Sequence, residues 1–277
     1  MEKYSVLMSL YSKETAINLE QAINSIVHQT YMPDEIVIVK DGYITVELQT
    51  VIDKYEKKYP GLFNVVGYNE NKGLGYALNY GIKYCKNELV ARMDTDDISL
   101  PNRCEQQIMF FEQDSGVDIV GGNIDEFIGD VSNIVGTRTV PCLDSEIKEY
   151  MKKRCPLNHV TVMYKKSAVE KAGGYQDWFW NEDYYLWIRM YLNGAVFRNT
   201  GTKLVNVRVG KEMYQRRGGK KYFKSEYGLQ KYMYKNQIIP YHIYLLNVAK
   251  RFIVQILLPN QLRAWVFKTF AREKNNE

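Results

Sequence analysis

The sequence predicts an α/β fold organised around a mostly parallel sheet. Over roughly the first 120 residues strand-like and helix-like patterns alternate, and the connections between them are short. Four of the chain's most polar short segments stand just after the predicted strands: Leu10-Tyr11, Lys40-Asp41-Gly42, Asn69-Glu70-Asn71 and Asp94-Thr95-Asp96-Asp97. In open sheets of this kind ligands bind at the carboxyl ends of the strands, so those four segments should share one rim.

The elements follow in order. Tyr4–Leu10 is an apolar run, and the segment Ala16–His28 places Leu19, Ile23, Ile26 and Val27 on one helical face. The β-branched stretch Glu35–Val39 predicts a second strand, closed by the turn signal Asp41-Gly42. Val46–Lys58 reads as a helix, Phe63–Tyr68 as a strand, Leu74–Tyr84 as a helix and Leu89–Met93 as a fourth strand. Pro101 stands where the next helix would begin, because its missing N–H costs nothing there. From about Gly121 shorter strands and two short helices are expected, with Val160–Tyr164 extended and Glu182–Leu192 helical up to Asn193-Gly194. After about Lys220 the pattern is helical, tyrosine-rich and basic, including Tyr244–Leu258.

At 277 residues and 45% hydrophobic, the chain can bury a sizeable core, as one domain with an appendage or as two small domains. The longest uncharged apolar-rich run near the end, Phe252 to Leu262, is too short to span a bilayer and is broken by Gln255 and Pro259. Met1-Glu2-Lys3-Tyr4 leads straight into a strand and does not read as a signal peptide, so a cytoplasmic protein is expected. Cys85, Cys104, Cys142 and Cys155 form no Cys-x-x-Cys pair and are expected to be buried thiols. The net charge of +5 conceals an asymmetry: residues from Lys203 onward carry +12 and residues 1–202 carry −7. A basic tail on an acidic body suits an anionic partner such as a membrane surface or a phosphate; a solvated basic face is the plainer alternative.

Asp94, Asp96 and Asp97 are three carboxylates within four residues at a strand end, and they repel one another unless a cation sits among them. Oxygen-only ligands favour Mg2+ or Mn2+. Alternation in an extended segment puts Asp94 and Asp96 on one side, so these two are expected to share the ion; an acidic turn that caps the helix after Pro101 is the plainer alternative. Gly73 and Gly75 at the start of a helix suit close approach of a phosphate or ribose, or only a tight turn. Glu182 and Asp183 open a helix after the aromatic run Trp178-Phe179-Trp180; they are either ordinary acidic partners of the helix dipole or, walled by aromatics on which a sugar ring stacks, a general base. His28, His159 and His242 are not spaced for zinc, and neither a Gly-x-Ser-x-Gly nor a Walker loop is present. His159 could line a pocket or simply pack.

Taken together, the strand opening, Asp41-Gly42, Asp94-Thr95-Asp96-Asp97 with Pro101 behind it, and Gly173-Gly174-Tyr175…Glu182-Asp183…Trp187…Arg189 resemble the family 2 glycosyltransferases of GT-A fold, from about Tyr4 to Gly219. Asn158-His159-Val-Thr-Val-Met163 and Gln215-Arg216-Arg217-Gly218-Gly219 are similar to the bacterial enzymes that assemble O-antigen, capsule or exopolysaccharide repeat units. The resemblance implies a GT-A catalytic domain over 1–219, with a nucleotide-sugar half (1–120) and an acceptor half (121–219), and a helical tail over 220–277.

It also implies roles. Leu10, Tyr11 and Asp41 would meet the nucleotide, supported by Glu14; Asn71 and Gly73 would sit beside ribose and diphosphate; Asp94 and Asp96 would bind Mn2+ or Mg2+. Asp183 would be the catalytic base beside Glu182, Arg216 and Arg217 would face the leaving diphosphate, and His159 and Trp180 would meet the acceptor. The opening Ser9-Leu10-Tyr11-Ser12 and the pair Lys40-Asp41 depart from the family's usual residues, and the Gln-x-x-Arg-Trp motif of processive synthases is missing. The implied activity is therefore inverting, non-processive transfer of one hexose from UDP-galactose or UDP-glucose to a lipid-linked saccharide at the inner face of the plasma membrane. No nucleic-acid partner is expected. A dimerisation surface is the competing account of the tail, and a metal-dependent nucleotidyltransferase or a non-catalytic nucleotide-sugar-binding module are the competing functions.

Overall fold

A computed structural model of the chain describes residues 1–210, 218–259 and 262–263. Four strands, β1 (Tyr4–Leu10), β2 (Glu35–Asp41), β3 (Phe63–Tyr68) and β4 (Leu89–Asp94), lie parallel in the spatial order β3-β2-β1-β4. Helices α1 (Ala16–Val27), α2 (Val46–Lys58) and α3 (Leu74–Gly81) connect them. Thr15 and Thr45 start α1 and α2 by accepting the Asn18 and Leu48 amides at 3.2 and 3.4 Å. The register pairs Ser9 with both Val39 and Asp94, and Asp41 with Tyr68, so the carboxyl ends of the strands finish level and the polar segments share one rim as predicted.

Period-two alternation assigns the two faces. Tyr4, Val6 and Met8 pack against α1, α2 and α4 (Arg103–Gln113) through Leu19, Ile23, Ile52 and Ile108. Leu7, Val37 and Val39 pack on the other side against Ala77 and Leu78 of α3 and Trp187 and Ile188 of α7 (Glu182–Leu192). Each fully buried aliphatic or aromatic side chain contributes about 1.5–3 kcal/mol, which is what holds helices on both faces.

The remaining strands make the sheet mixed. β8 (Met163–Lys165) runs antiparallel between β4 and β6 (Ile119–Phe127); β9 (Phe197–Arg208) lies parallel to β6 and antiparallel to β5 (Ile98–Ser99); β7 (Ile134–Arg138) pairs antiparallel with β6. Helices α5 (Asp144–Met151) and α6 (Lys166–Lys171) complete this half. Beyond it, α8 (Lys220–Lys235) and α9 (Tyr241–Phe252) lead into a π turn at Ile253–Leu257. Leu229 and Met233 of α8 join the same core as Trp187, so the described part of the tail packs onto the body.

Four expectations need correction. The strands after Gly121 are not all short: β6 has 9 residues and β9 has 12. Val160–Tyr164 is not one strand, because the Thr161 hydroxyl donates to the Asn158 carbonyl at 2.7 Å and draws His159–Thr161 into a 3-10 turn before β8 begins. The helix after Pro101 starts at Arg103, while the Pro101 carbonyl accepts the Thr30 amide at 2.8 Å. The predicted helix Leu74–Tyr84 is α3 to Gly81 and then a 3-10 turn.

Candidate active site

A cleft of about 1030 Å³ is lined by Asp94, Asp96 and Asp97 from the end of β4 and by Trp180, Glu182 and Asp183 from the start of α7. Arg138, Lys153, Arg154, Cys155 and Arg208 line it as well, and α8, α9 and the π turn contribute Tyr222, Glu226, Lys250, Arg251 and Gln255. Two segments some 85 residues apart thus bring their carboxylates into one cavity.

At the end of β4, one ligand oxygen from each of Asp94, Asp96 and Asp97 lies within 4.8 Å of the others. Thr95 turns inward and donates to the Ser9 carbonyl at 3.3 Å, which leaves its neighbours facing the cleft, as alternation predicts. Burial, the Asp94 charge and the Glu14 charge push the Asp96 acid up to about 7. Burial and the charges of Asp96 and Asp94 push Asp97 well above the ordinary carboxylate range, against the Arg208 amide that Asp97 accepts at 2.8 Å. Crowded, half-dehydrated carboxylates of this kind fit a hard divalent cation, whose charge would offset both causes.

Arg92 was not singled out from the sequence. Its side chain is 2% exposed and forks onto both oxygens of Asp94, with Nη1–Oδ2 at 2.5 Å and Nη2 paired to Oδ1. Asp94 therefore arrives at the rim already held in a bidentate pair. Asp97 brings a third carboxylate to the pair expected from spacing, with one oxygen already accepting the Arg208 amide. An arginine within the otherwise apolar run Leu89-Val-Ala-Arg-Met93 was the available signal.

The loop Trp178–Asn181 that delivers α7 is clamped from α8. The Trp178 indole donates to the Ser225 carbonyl at 3.1 Å, the Ser225 hydroxyl to the Phe179 carbonyl at 2.7 Å, and the Asn181 amide side chain to the Ser225 hydroxyl at 2.9 Å. Trp180 takes φ +56°, which is unusual for a bulky residue, and presents a half-exposed ring stacked on Phe179 at 4.5 Å. Asp183 accepts the Tyr184 amide at 2.7 Å, a usual place for an acid in a first helical turn. Its other oxygen lies 3.8 Å from the Cys155 sulfur. Burial raises the Asp183 acid, opposed by that amide and by the Arg138 and Arg92 charges. Burial and the Asp183 charge push Glu182 up to about 7. A Cβ placed on Gly75 would touch Glu182 at 3.5 Å, so the start of α3 abuts this helix.

The other predicted residues that the structure describes lie outside the walls of this cleft. Asp41 is buried and accepts the Lys72 and Gly73 amides at 2.7 and 3.0 Å and the Asn71 side chain at 3.0 Å, so one small hydrogen-bonded unit joins Asp41, Asn71 and Gly73. Those amides are thereby satisfied within the protein. Leu10 is wholly buried, which leaves only its backbone to meet a ligand, whereas Tyr11 beyond it is 42% exposed. Glu14 caps its own turn through Thr15 and Asn18. His159 bonds the Tyr175 hydroxyl at 2.9 Å and packs edge-on to Trp187, and burial, with the Arg92 charge, lowers its pKa well below the ordinary imidazole value. Arg216 and Arg217 lie outside the described residues. All four cysteines are free; Cys85 and Cys104 are buried as expected, but Cys142 and Cys155 are only half-buried, and Cys155 lines the cleft.

The strand ends of a parallel rim, an acidic triad and the Glu182–Asp183 pair thus meet at one cleft on an α/β body. Residues 5–176 match Glycosyl transferase family 2, and the chain belongs to that family. It is 44% identical over 271 residues to an uncharacterised glycosyltransferase of Haemophilus influenzae, covering 98% of this chain and 100% of the relative. It is 36% identical to the UDP-Gal:alpha-D-GlcNAc-diphosphoundecaprenol beta-1,3-galactosyltransferase of Escherichia coli, covering 98% and 97%. Among solved structures, the mannosyltransferase PcManGT of Pyrobaculum calidifontis, in complex with GDP-Man and Mn2+, superposes with a TM-score of 0.63 at 15% identity over 95% of this chain and 72% of that one. The architecture is that of the GT-A glycosyltransferases, and the protein is a glycosyltransferase.

Proposed function

We propose that the chain transfers a single hexose, galactose or glucose, from a UDP-sugar to a lipid-linked saccharide, with inversion, in assembly of a bacterial surface polysaccharide. The observation that carries this reading is the shared cleft: Asp94, Asp96 and Asp97 line the same cavity as Glu182 and Asp183. The Escherichia coli relative, named for UDP-Gal and a diphosphoundecaprenol-linked acceptor, favours galactose and such an acceptor here.

A divalent cation, Mn2+ or Mg2+, held by Asp96 and Asp97 with Asp94 would supply positive charge to the donor's two phosphates; the Mn2+ in the PcManGT complex supports an ion of this type. Arg92 fixes the Asp94 carboxylate so that it need not reorganise when donor arrives. Tyr11, at the end of β1, and the unit joining Asp41, Asn71 and Gly73 shape the nucleotide side, with Glu14 beside Asp96. Trp180 stacks on a sugar ring, and His159 supports the acceptor side by bracing Tyr175 and Trp187. Asp183 accepts the proton of the acceptor hydroxyl as that oxygen attacks the anomeric carbon from the face away from the diphosphate, which inverts the centre. Glu182, next in chain and partly protonated near neutral pH, keeps a second full charge away from Asp183.

Replacement of Asp183 by Asn tests the assignment. Transfer should fall roughly 10²-fold or more, while donor affinity measured by calorimetry stays near that of the parent. Near-normal turnover would place the base elsewhere. In Asp96→Ala, Mn2+-dependent UDP binding should be lost, and unchanged affinity would contradict the cation site. Release of inorganic pyrophosphate would instead mark nucleotidyl transfer.

The tail supports a peripheral position at an anionic membrane face. No helix among the described residues is long and apolar enough to cross a membrane, but Tyr241, Leu245, Leu246, Phe252, Ile253 and Leu257 are exposed along α9 and the π turn.

A further inference from the structure

We propose that Lys153, Arg154 and Lys250 form an anion subsite for the phosphates of the acceptor, distinct from the place of the donor diphosphate. The inference deepens the transfer reading above and rests on it for the word acceptor.

Lys153 and Arg154 follow α5, and Lys250 stands in the last turn of α9; all three line the cleft. The two segments are joined, since Arg251 donates to the Lys153 carbonyl at 2.9 Å and the Asn247 side chain to the Lys152 carbonyl at 2.9 Å. Neighbouring charges are already answered. Arg251 pairs with Glu226, Nε to Oε2 at 2.5 Å, and Arg138 donates to the Cys155 carbonyl at 2.7 Å. The end of α5 is served by Lys152, paired with Glu149. Lys153, Arg154 and Lys250, by contrast, make no ion pair among the described residues. Lys153 and Lys250 are exposed and Arg154 is half-buried, so all three hold unpaired charge at the mouth of the cleft, and a diphosphate has the charge and the acceptor oxygens to meet them.

Position decides which diphosphate. The donor's phosphates belong with Asp94, Asp96 and Asp97, whereas Lys153 and Arg154 directly precede Cys155, whose sulfur lies 3.8 Å from Asp183, and the helix that carries Lys250 is bonded to that same segment. They therefore lie on the side from which the hydroxyl arrives. Directly after Arg251 the chain exposes Phe252, Ile253 and Leu257, an apolar path along which the chain of a prenyl diphosphate can lie.

The test is equilibrium binding of farnesyl diphosphate to the full chain in EDTA, where no cation can recruit it to the acidic triad. The parent should bind, and Lys153→Ala/Arg154→Ala/Lys250→Ala should bind ~10-fold more weakly or worse. That variant should keep its Mn2+-dependent UDP affinity, which shows that it is folded; Asp96→Ala should show the reverse pattern. If the parent binds farnesyl diphosphate with this dependence but never binds UDP, the donor reading fails and the subsite stands. Equal binding by parent and triple variant overturns the subsite, as does farnesol binding as tightly as its diphosphate. Loss of flotation on phosphatidylglycerol vesicles with unchanged farnesyl diphosphate affinity also overturns it, and assigns the cations to bilayer headgroups.

Discussion

Glu182 and Asp183 stand side by side at the start of α7, and burial raises both acids, Glu182 to about 7. An acid whose folded pKa lies above its unfolded value binds a proton on folding. Its favourable contribution is present below about 4.5 and is lost as pH rises through about 7. Glu182→Gln removes that loss. The variant's Tm should exceed the parent's at pH 8 by more than at pH 5, and an equal offset at the two values would show that Glu182 is not held in this state. The same neighbourhood shows what can be read from residues alone. Three acids in four positions, or two acids after three aromatics, announce themselves because like charges so close in sequence need a reason. Arg92 hides, since a single cation in an apolar strand gains its meaning only when the fork onto Asp94 is seen. Lys153, Arg154 and Lys250 hide for a related reason: the cleft unites them, and no spacing does.

Gly81, the last residue of α3, shows how an element is fitted to the sheet below it. Its backbone is helical, φ −66°, so alanine would gain up to ~1 kcal/mol of helix propensity. A methyl group there would overlap Val39 Cγ2 and stand 2.5 Å from Leu7 Cδ1, inside a packed layer. Overpacking costs about 1–3 kcal/mol, so packing prevails and Gly81→Ala should be destabilised by about 1–2 kcal/mol in urea unfolding. A stability equal to or above the parent's would mean that α3 can lift from β1 and β2 at no cost. The parallel half was legible at this scale because each strand is a short apolar run and each helix carries one apolar face. β6 and β9 were not. Ile119–Phe127 contains Gly121-Gly122, Asp125 and Glu126, and Phe197–Arg208 contains Asn199-Thr200-Gly201, which reads as a turn. Both are strands because they pair with each other across register shifts, a long-range gain that outweighs poor local propensity.

At the scale of the whole molecule, α8 and α9 pack onto the body, line one side of the cleft, and turn an apolar edge outward. With a tail as basic as this one, the protein should float with phosphatidylglycerol vesicles at low salt and progressively less at high salt. Leu246→Glu/Ile253→Glu should abolish flotation without changing the Tm by more than a few degrees. Flotation indifferent to both salt and these changes would leave the edge to a second copy of the chain, visible as a dimer by light scattering. The clamp of Ser225 on the Trp178–Asn181 loop carries a temporal consequence. On a ribosome, strands β1 to β4 emerge early, whereas the three bonds between Ser225 and the loop that leads into α7 form only after α8 has left the exit tunnel. A polypeptide made only as far as α7 therefore carries the Trp178–Asn181 loop without the hydroxyl, carbonyl and indole bonds that later fix it, and the loop's stance is set only once Ser225 has been added.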